Sequence, residues 1–148
     1  MRALFLSLLL LFSISEAKEY KAVYDCSSKN VGYIASRMFL IERTKDMIEK
    51  QGDSVKFALT VHGSCAAIVS VNFDELVEDS EVETMKQAQD QLRRLAKEKD
   101  VEVTVCAMSL NANTIEEEDV LPFVKISENS FIDTIAYQNN GYALMTFK

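Results

Sequence analysis

Five short runs along the chain are rich in β-branched and aromatic residues, a pattern that is typical of β-strands. They cover residues 21–26, 55–61, 101–108, 123–126 and 142–147. In the third run a ridge of valines alternates with polar positions, so Cys106 is predicted to face away from that ridge. The pattern therefore predicts five strands and gives the third strand two chemically different faces.

Between these runs, apolar residues recur at helical spacing. A helix predicted over residues 31–51 would bury apolar residues on one side and end before a glycine: Ile34, Met38, Ile41, Ile48 and Gly52. A long helix is predicted from Ser80, which forms a capping box with Glu83, to Lys99. Its predicted buried side is Val82, Met85, Gln89, Leu92, Leu95 and Ala96. Shorter helices are predicted over residues 66–71 and 131–138.

Strands that alternate with helices favour parallel pairing, because a parallel neighbour requires a crossover connection. The sequence thus predicts one α/β domain over residues 18–148, with a three-layer α/β/α architecture around a mostly parallel five-stranded sheet. Ligands of such sheets bind beyond the carboxyl ends of the strands. We therefore expect the functional residues at that edge.

The first residues have the features of a secretory signal peptide. Met1 and Arg2 provide a positive start, residues 3–14 are almost entirely apolar, and Ser15 and Ala17 place small residues at a cleavage site. The apolar core is shorter than the roughly 18 residues that a membrane span needs. We predict cleavage after residue 17, a periplasmic mature chain that begins at Lys18, and no membrane association once the leader is removed. A eukaryotic secreted protein is the alternative.

Charge and composition narrow the function classes. The chain has 16 basic and 23 acidic residues, and its net charge is −7. No stretch gathers the basic residues into a phosphate-binding face, so we expect no nucleic-acid partner. With one His and three Cys, the chain has few residues for a metal cage, and we predict neither a metal nor another cofactor.

The cysteines mark the candidate site. Cys26, Cys65 and Cys106 each lie at or just past the end of a predicted strand, and His62 follows the second strand. Parallel strands bring these positions to one edge, where helix N-termini lower the pKa of a thiol. Cys106 is the candidate catalytic residue, and Cys65, His62 and Cys26 are the candidate binding residues. The alternatives are that the cysteines fill gaps in the packing, and that His62 caps the turn before Gly63.

Several stretches resemble the DsrE/DsrF-like family of sulfur-relay proteins. They are Val61-His62-Gly63, the strand from Asp100 through Cys106 to Leu110, Thr114-Ile115, Val120-Leu121-Pro122, Ile132-Asp133-Thr134-Ile135 and Gln138-Asn139-Asn140-Gly141-Tyr142-Ala143. The resemblance spans residues 20–147. It implies a compact α/β fold, assembly into homotrimers or hexamers, and a persulfide carried on Cys106.

Cys26 and Cys65 lie outside this resemblance, and after export two of the three thiols can pair, with Cys106 or with each other. We expect a periplasmic sulfur-handling protein, either a sulfurtransferase or a sulfur carrier, with a sulfur donor or acceptor protein as partner. The alternative is an oligomeric module that catalyses nothing and binds a small ligand or metal at the strand edge. A third hypothesis is that the protein catalyses thiol-disulfide exchange. The absence of a Cys-x-x-Cys pair disfavours this hypothesis.

Overall fold

The computed structural model describes residues 16–147, so nearly all of the predicted leader lies outside the described residues. The strands are β1 (Glu19–Cys26), β2 (Ser54–Val61), β3 (Val101–Cys106), β4 (Lys125–Ser127) and β5 (Ala143–Phe147). The α-helices are α1 (Val31–Glu49), α2 (Val82–Ala96), α3 (Ala107–Ala112) and α4 (Ser130–Asn139). Short 3-10 segments, of which Gly63–Val69 is the longest, complete the connections. Within the described residues, no helix combines the length and apolarity needed to cross a bilayer.

The five strands form one sheet in the order β4-β3-β2-β1-β5, and every pair is parallel. The predicted α/β class with a parallel five-stranded sheet is confirmed. The register aligns Cys26 of β1 with Val61 of β2, and Val61 with Val105 of β3. The carboxyl ends of the three central strands therefore lie level at one edge of the sheet.

The two faces of the sheet differ in chemistry because side chains alternate along each strand. One face is apolar and packs against α1 and α2, where Phe57 and Val103 join Met38 and Leu92 in the main core. The other face carries polar side chains near the carboxyl edge and is covered by α4: Asp25, Thr60, Thr104 and Cys106. Cys106 faces away from the valine ridge, as predicted, and so lies on the polar side.

The two long helices bury most of the residues predicted for their buried sides, while Ile48, Val82 and Ala96 are half-buried. In α1 the side chain of Asn30 caps the helix by accepting from the Tyr33 amide at 2.8 Å, and Ile34, Met38 and Ile41 are buried. In α2 the buried residues are Met85, Ala88, Gln89, Leu92 and Leu95. The buried Gln89 amide donates to the backbone oxygens of Ile68 and Ser70 at 3.0 and 2.8 Å. A polar residue on the buried side thus satisfies the carbonyls of the 3-10 segment that follows β2.

Three local predictions are wrong. The capping box of Ser80 and Glu83 does not form, because a 3-10 turn over Asp79–Glu81 leads into α2 and leaves Glu81 as an N-cap without a side-chain hydrogen bond. Strand β3 ends at Cys106 and not at residue 108, since α3 starts immediately afterwards. The segment after β2 is a 3-10 helix that begins at Gly63, earlier than predicted.

Candidate functional site

Cys26 and Cys65 form a disulfide between the end of β1 and the 3-10 segment after β2. The strand register places Cys26 on the apolar face of the sheet, and both residues are fully buried. A disulfide has no thiol to offer a ligand, so in this state the predicted binding role of Cys26 and Cys65 has no chemical basis. Their role in this arrangement is to tie two segments of the carboxyl edge together.

Cys106 is the free cysteine of the described residues. It ends β3 and is the N-cap residue of α3, and the alternation along β3 directs it to the face opposite the disulfide. Only 2% of its surface is exposed. Its thiol lies 3.9 Å from the backbone oxygen of Glu128, to which it donates weakly. The strand and the turn before α4 together enclose the sulfur.

Two opposing influences set the pKa of Cys106. Burial is the largest single influence and raises the pKa, because it disfavours the charged thiolate. The neighbouring backbone amides of Ser130, Ser109 and Met108 and the Ser109 side chain lower the pKa and outweigh the effect of burial. The resulting pKa of the Cys106 thiol is below that of an ordinary cysteine. The site therefore favours the nucleophilic form of the sulfur.

His62 pairs with a carboxylate that sequence reasoning missed. His62 Nε2 lies 2.8 Å from Oδ1 of Asp25, and the hydroxyl of Thr60 donates to the same oxygen at 3.0 Å. Because a carboxylate only accepts hydrogen bonds, Nε2 is the nitrogen that carries the proton. The backbone amide of His62 also donates to the backbone oxygen of Cys26 at 2.9 Å. The ends of β1 and β2 thus hold the imidazole in place.

This pairing changes the ionisation of His62. The hydrogen bond to Asp25 raises the pKa of His62, partial burial opposes that effect, and the charges of Asp25 and of the Cys106 thiolate raise the pKa further. The imidazolium and the thiolate therefore favour each other. The Phe131 ring stands edge-on to the imidazole, with the two ring centroids 6.3 Å apart.

A second set of hydrogen bonds joins the His62 loop to the helix that Cys106 begins. The Gly63 amide donates to the Ser109 hydroxyl oxygen at 2.8 Å. The side-chain amide of Asn113 donates to the backbone oxygens of both Gly63 and Ser109, at 3.0 and 2.7 Å. The same Ser109 side chain is one of the groups that lower the pKa of the Cys106 thiol.

The sequence contains only a weak indication that Asp25 and Ser109 belong to the site. Asp25 is the one acidic residue within the first strand's predicted run, directly before Cys26 at its end, and Ser109 lies one helical turn after Cys106. Acidic and hydroxyl residues at the carboxyl ends of parallel strands are candidate site residues, because ligands bind beyond those ends. Their relation to His62 and Cys106 became visible only when the strands were aligned.

No metal cage is present in residues 16–147, where no group of three or more His, Cys, Asp or Glu residues is placed to hold an ion. The three cysteines and His62 do not form a tetrahedral metal site, because the disulfide takes two of the four side chains. The arrangement can instead stabilise one sulfur anion beside a proton-carrying imidazole.

The fold and the site define a class: parallel α/β proteins with a free cysteine where a central strand meets a helix. The sequence profile of the DsrE/DsrF-like family matches residues 21–147, and the chain belongs to that family. The predicted resemblance is thereby confirmed. At the level of the family, this membership relates the chain to sulfur-relay proteins.

Two further similarities accompany the family match. An uncharacterized protein of Aquifex aeolicus (strain VF5) is 33% identical over 131 residues, which are 88% of this chain and 57% of that protein. This chain thus spans little more than half of that relative. A solved structure of a protein of unknown function from Methanobacterium thermoautotrophicum superposes with a TM-score of 0.67 at 14% identity, covering 86% of this chain and 99% of the other. That structural similarity supports the fold alone.

Proposed function

We propose that this protein handles sulfur and that Cys106 carries the sulfur as a persulfide. The observation that carries the proposal is the place of Cys106, the free cysteine of the described residues, which ends β3 and starts α3 on the polar face of the sheet. The backbone amides of Ser130, Ser109 and Met108 and the Ser109 hydroxyl are the neighbouring donors that lower the pKa of its thiol. A persulfide is itself an anion at neutral pH and uses the same donors. The membership in the DsrE/DsrF-like family supports the same chemistry.

The proposed reaction conserves atoms and electrons in two displacements. The Cys106 thiolate attacks a sulfur atom of an inorganic polysulfide and forms a new sulfur-sulfur bond. The attacked bond of the polysulfide breaks, and the leaving hydrosulfide or shorter polysulfide takes the electron pair. An acceptor thiolate then attacks the outer sulfur on Cys106, and the original Cys106 thiolate leaves. Neither displacement needs an oxidant or a reductant.

The surroundings of Cys106 favour a small donor. With 2% of the residue exposed, the sulfur has little room for a bulky organic persulfide. Protonation of His62, whose pKa is raised by its hydrogen bond to Asp25, would balance the negative charge of thiolate and persulfide. Because Cys26 and Cys65 are paired, the described residues contain no second free thiol to accept the sulfur. The acceptor is therefore an external thiol, on a small molecule or on a partner protein.

The location that we propose is the periplasm, reached by cleavage of residues 1–17. The disulfide supports an oxidising compartment, because disulfides persist outside the cytoplasm and are rare within it. Fractionation of cells that produce the full chain tests this proposal. We expect a periplasmic species that starts at Lys18, and a full-length cytoplasmic species would contradict it.

We also propose that the protein assembles with itself as a homotrimer or hexamer. Helix α4 supports this, since Ser130 is buried while Phe131, Ile132 and Ile135 are 69, 63 and 58% exposed. Such a neutral apolar face is typical of a surface that another chain covers. Sedimentation of the purified protein is expected to show a trimer or hexamer that Ile135→Glu dissociates. A wild-type monomer would contradict this proposal.

The persulfide is tested by intact mass spectrometry after polysulfide treatment. We expect a gain of one sulfur atom that peptide mapping places on Cys106 and that a thiol reductant removes. The matched variant Cys106→Ser should gain nothing. His62→Gln should gain sulfur more slowly and Asp74→Asn, an exposed change elsewhere, at the wild-type rate.

Two results would contradict the sulfur-carrier proposal. One is a sulfur gain that persists in Cys106→Ser. The other is a wild-type protein that gains no sulfur and is purified with a stoichiometric ligand or metal, which would instead support the non-catalytic binding module.

A further inference from the structure

The edge of the sheet farthest from Cys106 carries a second feature, a groove between α1 and β5. Strand β5 pairs with β1 on one side and ends the sheet on the other. The groove has a volume of about 250 Å³ and lies on the apolar face, so it is separated from Cys106 by the sheet. Its lining is mostly apolar, with Tyr24, Leu40, Ile41, Met145 and Phe147 beside one cation, Arg37.

Arg37 is a cation with a buried donor that has no partner among the described residues. Its guanidinium stacks on the Tyr33 ring, 4.5 Å from the ring centroid, while its Nε atom is buried and has no hydrogen-bond partner. Arg93 and Arg94, by comparison, pair with Asp90 and Glu42. Among residues 16–147 Arg37 forms no ion pair, although acidic residues outnumber basic ones in the chain. A buried N–H without an acceptor is costly, and a bound acceptor relieves that cost.

We propose that this groove binds a free medium-chain fatty acid, with the carboxylate on Arg37 and the alkyl chain between α1 and β5. The edge of a guanidinium formed by Nε and one Nη presents two parallel donors that match the two oxygens of a carboxylate. The contact with the Tyr33 ring restricts the position of the guanidinium. The apolar side chains of Leu40 and Met145 are exposed at the groove and would be covered by the alkyl chain.

The groove fits an amphipathic carboxylate better than a more highly charged ligand. Arg37 is the one basic residue of its lining, so a phosphate or a nucleotide would lack a second cation. The hydroxyl of Thr44, also in the lining, already donates to the backbone oxygen of Leu40 at 2.7 Å. Arg37 supplies the one charged contact, and Leu40, Ile41, Met145 and Phe147 supply an apolar wall. These two features match the carboxylate and the alkyl chain of a fatty acid.

Octanoate is a suitable probe for the purified protein, with octanol as its uncharged counterpart. Calorimetry should show saturable octanoate binding that Arg37→Gln weakens at least tenfold. Arg43→Gln, an exposed change on the same helix, should bind as the wild type does. Octanol should bind at least tenfold more weakly than octanoate. In NMR spectra, octanoate should shift the methyl signals of Leu40 and Met145 and leave Met108, beside Cys106, unchanged.

Three results would overturn the proposal: no saturable octanoate binding, equal binding by Arg37→Gln when that variant has the wild-type melting temperature, or equal binding of octanol. Sedimentation adds a fourth. If Arg37→Gln dissociates an oligomer while octanoate leaves the wild type unaffected, a second copy of the chain covers the groove. Sulfur loading of Cys106 is measured separately, so the two proposals fail independently.

Discussion

The backbone amide of Gly63 donates to the side-chain oxygen of Ser109 at 2.8 Å, and this bond joins the loop after β2 to the helix after β3. The Ser109 hydroxyl is also one of the groups that lower the pKa of the Cys106 thiol. The loop that carries His62 and the helix that carries the thiol are thus one hydrogen-bonded unit.

Ser109→Ala should raise the pKa of the Cys106 thiol, because the thiolate loses a donor while burial still opposes its charge. A hydrogen bond to a charged group is worth at least about 1.5 kcal/mol, so alkylation by iodoacetamide at neutral pH should slow by about tenfold. Ser130→Ala is the matched control, since Ser130 contributes its backbone amide, which the variant retains. Equal effects of the two variants would contradict the assigned role of the Ser109 hydroxyl.

Asp25→Asn should lower the pKa of His62, because the side-chain hydrogen bond to Asp25 is the main reason that this pKa is raised. The C2 proton of the imidazole, followed by NMR across the pH range, measures the change directly; the protein has one histidine, so the signal is unambiguous. Asp74→Asn removes an equal charge from an exposed position and should leave the titration unaltered. An unchanged midpoint in Asp25→Asn would show that the carboxylate does not control the imidazole.

The same pair should make stability depend on pH. The pKa of His62 is raised in the folded state, so the protonated form is stabilised by folding. This contribution is present in full below the unfolded pKa of about 6.5 and is lost as the pH rises through the folded pKa. The difference in free energy of unfolding between wild type and His62→Gln, from urea titrations, should therefore be larger at about pH 5.5 than at about pH 9. A difference that does not vary with pH would refute this linkage.

Removal of the Cys26–Cys65 bond should destabilise the protein by about 2–4 kcal/mol, because the bond restricts the unfolded chain. The measurement is urea unfolding of the double variant Cys26→Ala, Cys65→Ala, together with unfolding of the wild type in reductant. Cys106→Ala is the control, and its unfolding should respond to reductant as the wild type does. If reductant leaves the wild-type unfolding curve unchanged, the disulfide does not contribute to stability.

Much of the fold was readable from local patterns. Runs of β-branched and aromatic residues predicted the strands, and helical spacing predicted the buried sides of α1 and α2. Burial on one face imposes the same periodicity wherever the element lies. The start of α2 was not predicted correctly, since a capping box at Ser80 competed with a 3-10 turn that the following packing favours. Element ends depend on such small energy differences, and element types do not.

The sequence by itself determined the α/β class, the family resemblance and the position of Cys106 at the end of a strand, facing away from the valine ridge. Only the tertiary structure decided that Cys26 bonds to Cys65 on one face while Asp25, His62 and Ser109 gather near Cys106 on the other. The physical reason is that the register between strands and the packing of helices onto two faces bring together residues that are far apart in sequence. Periodicity within one segment carries no information about that register.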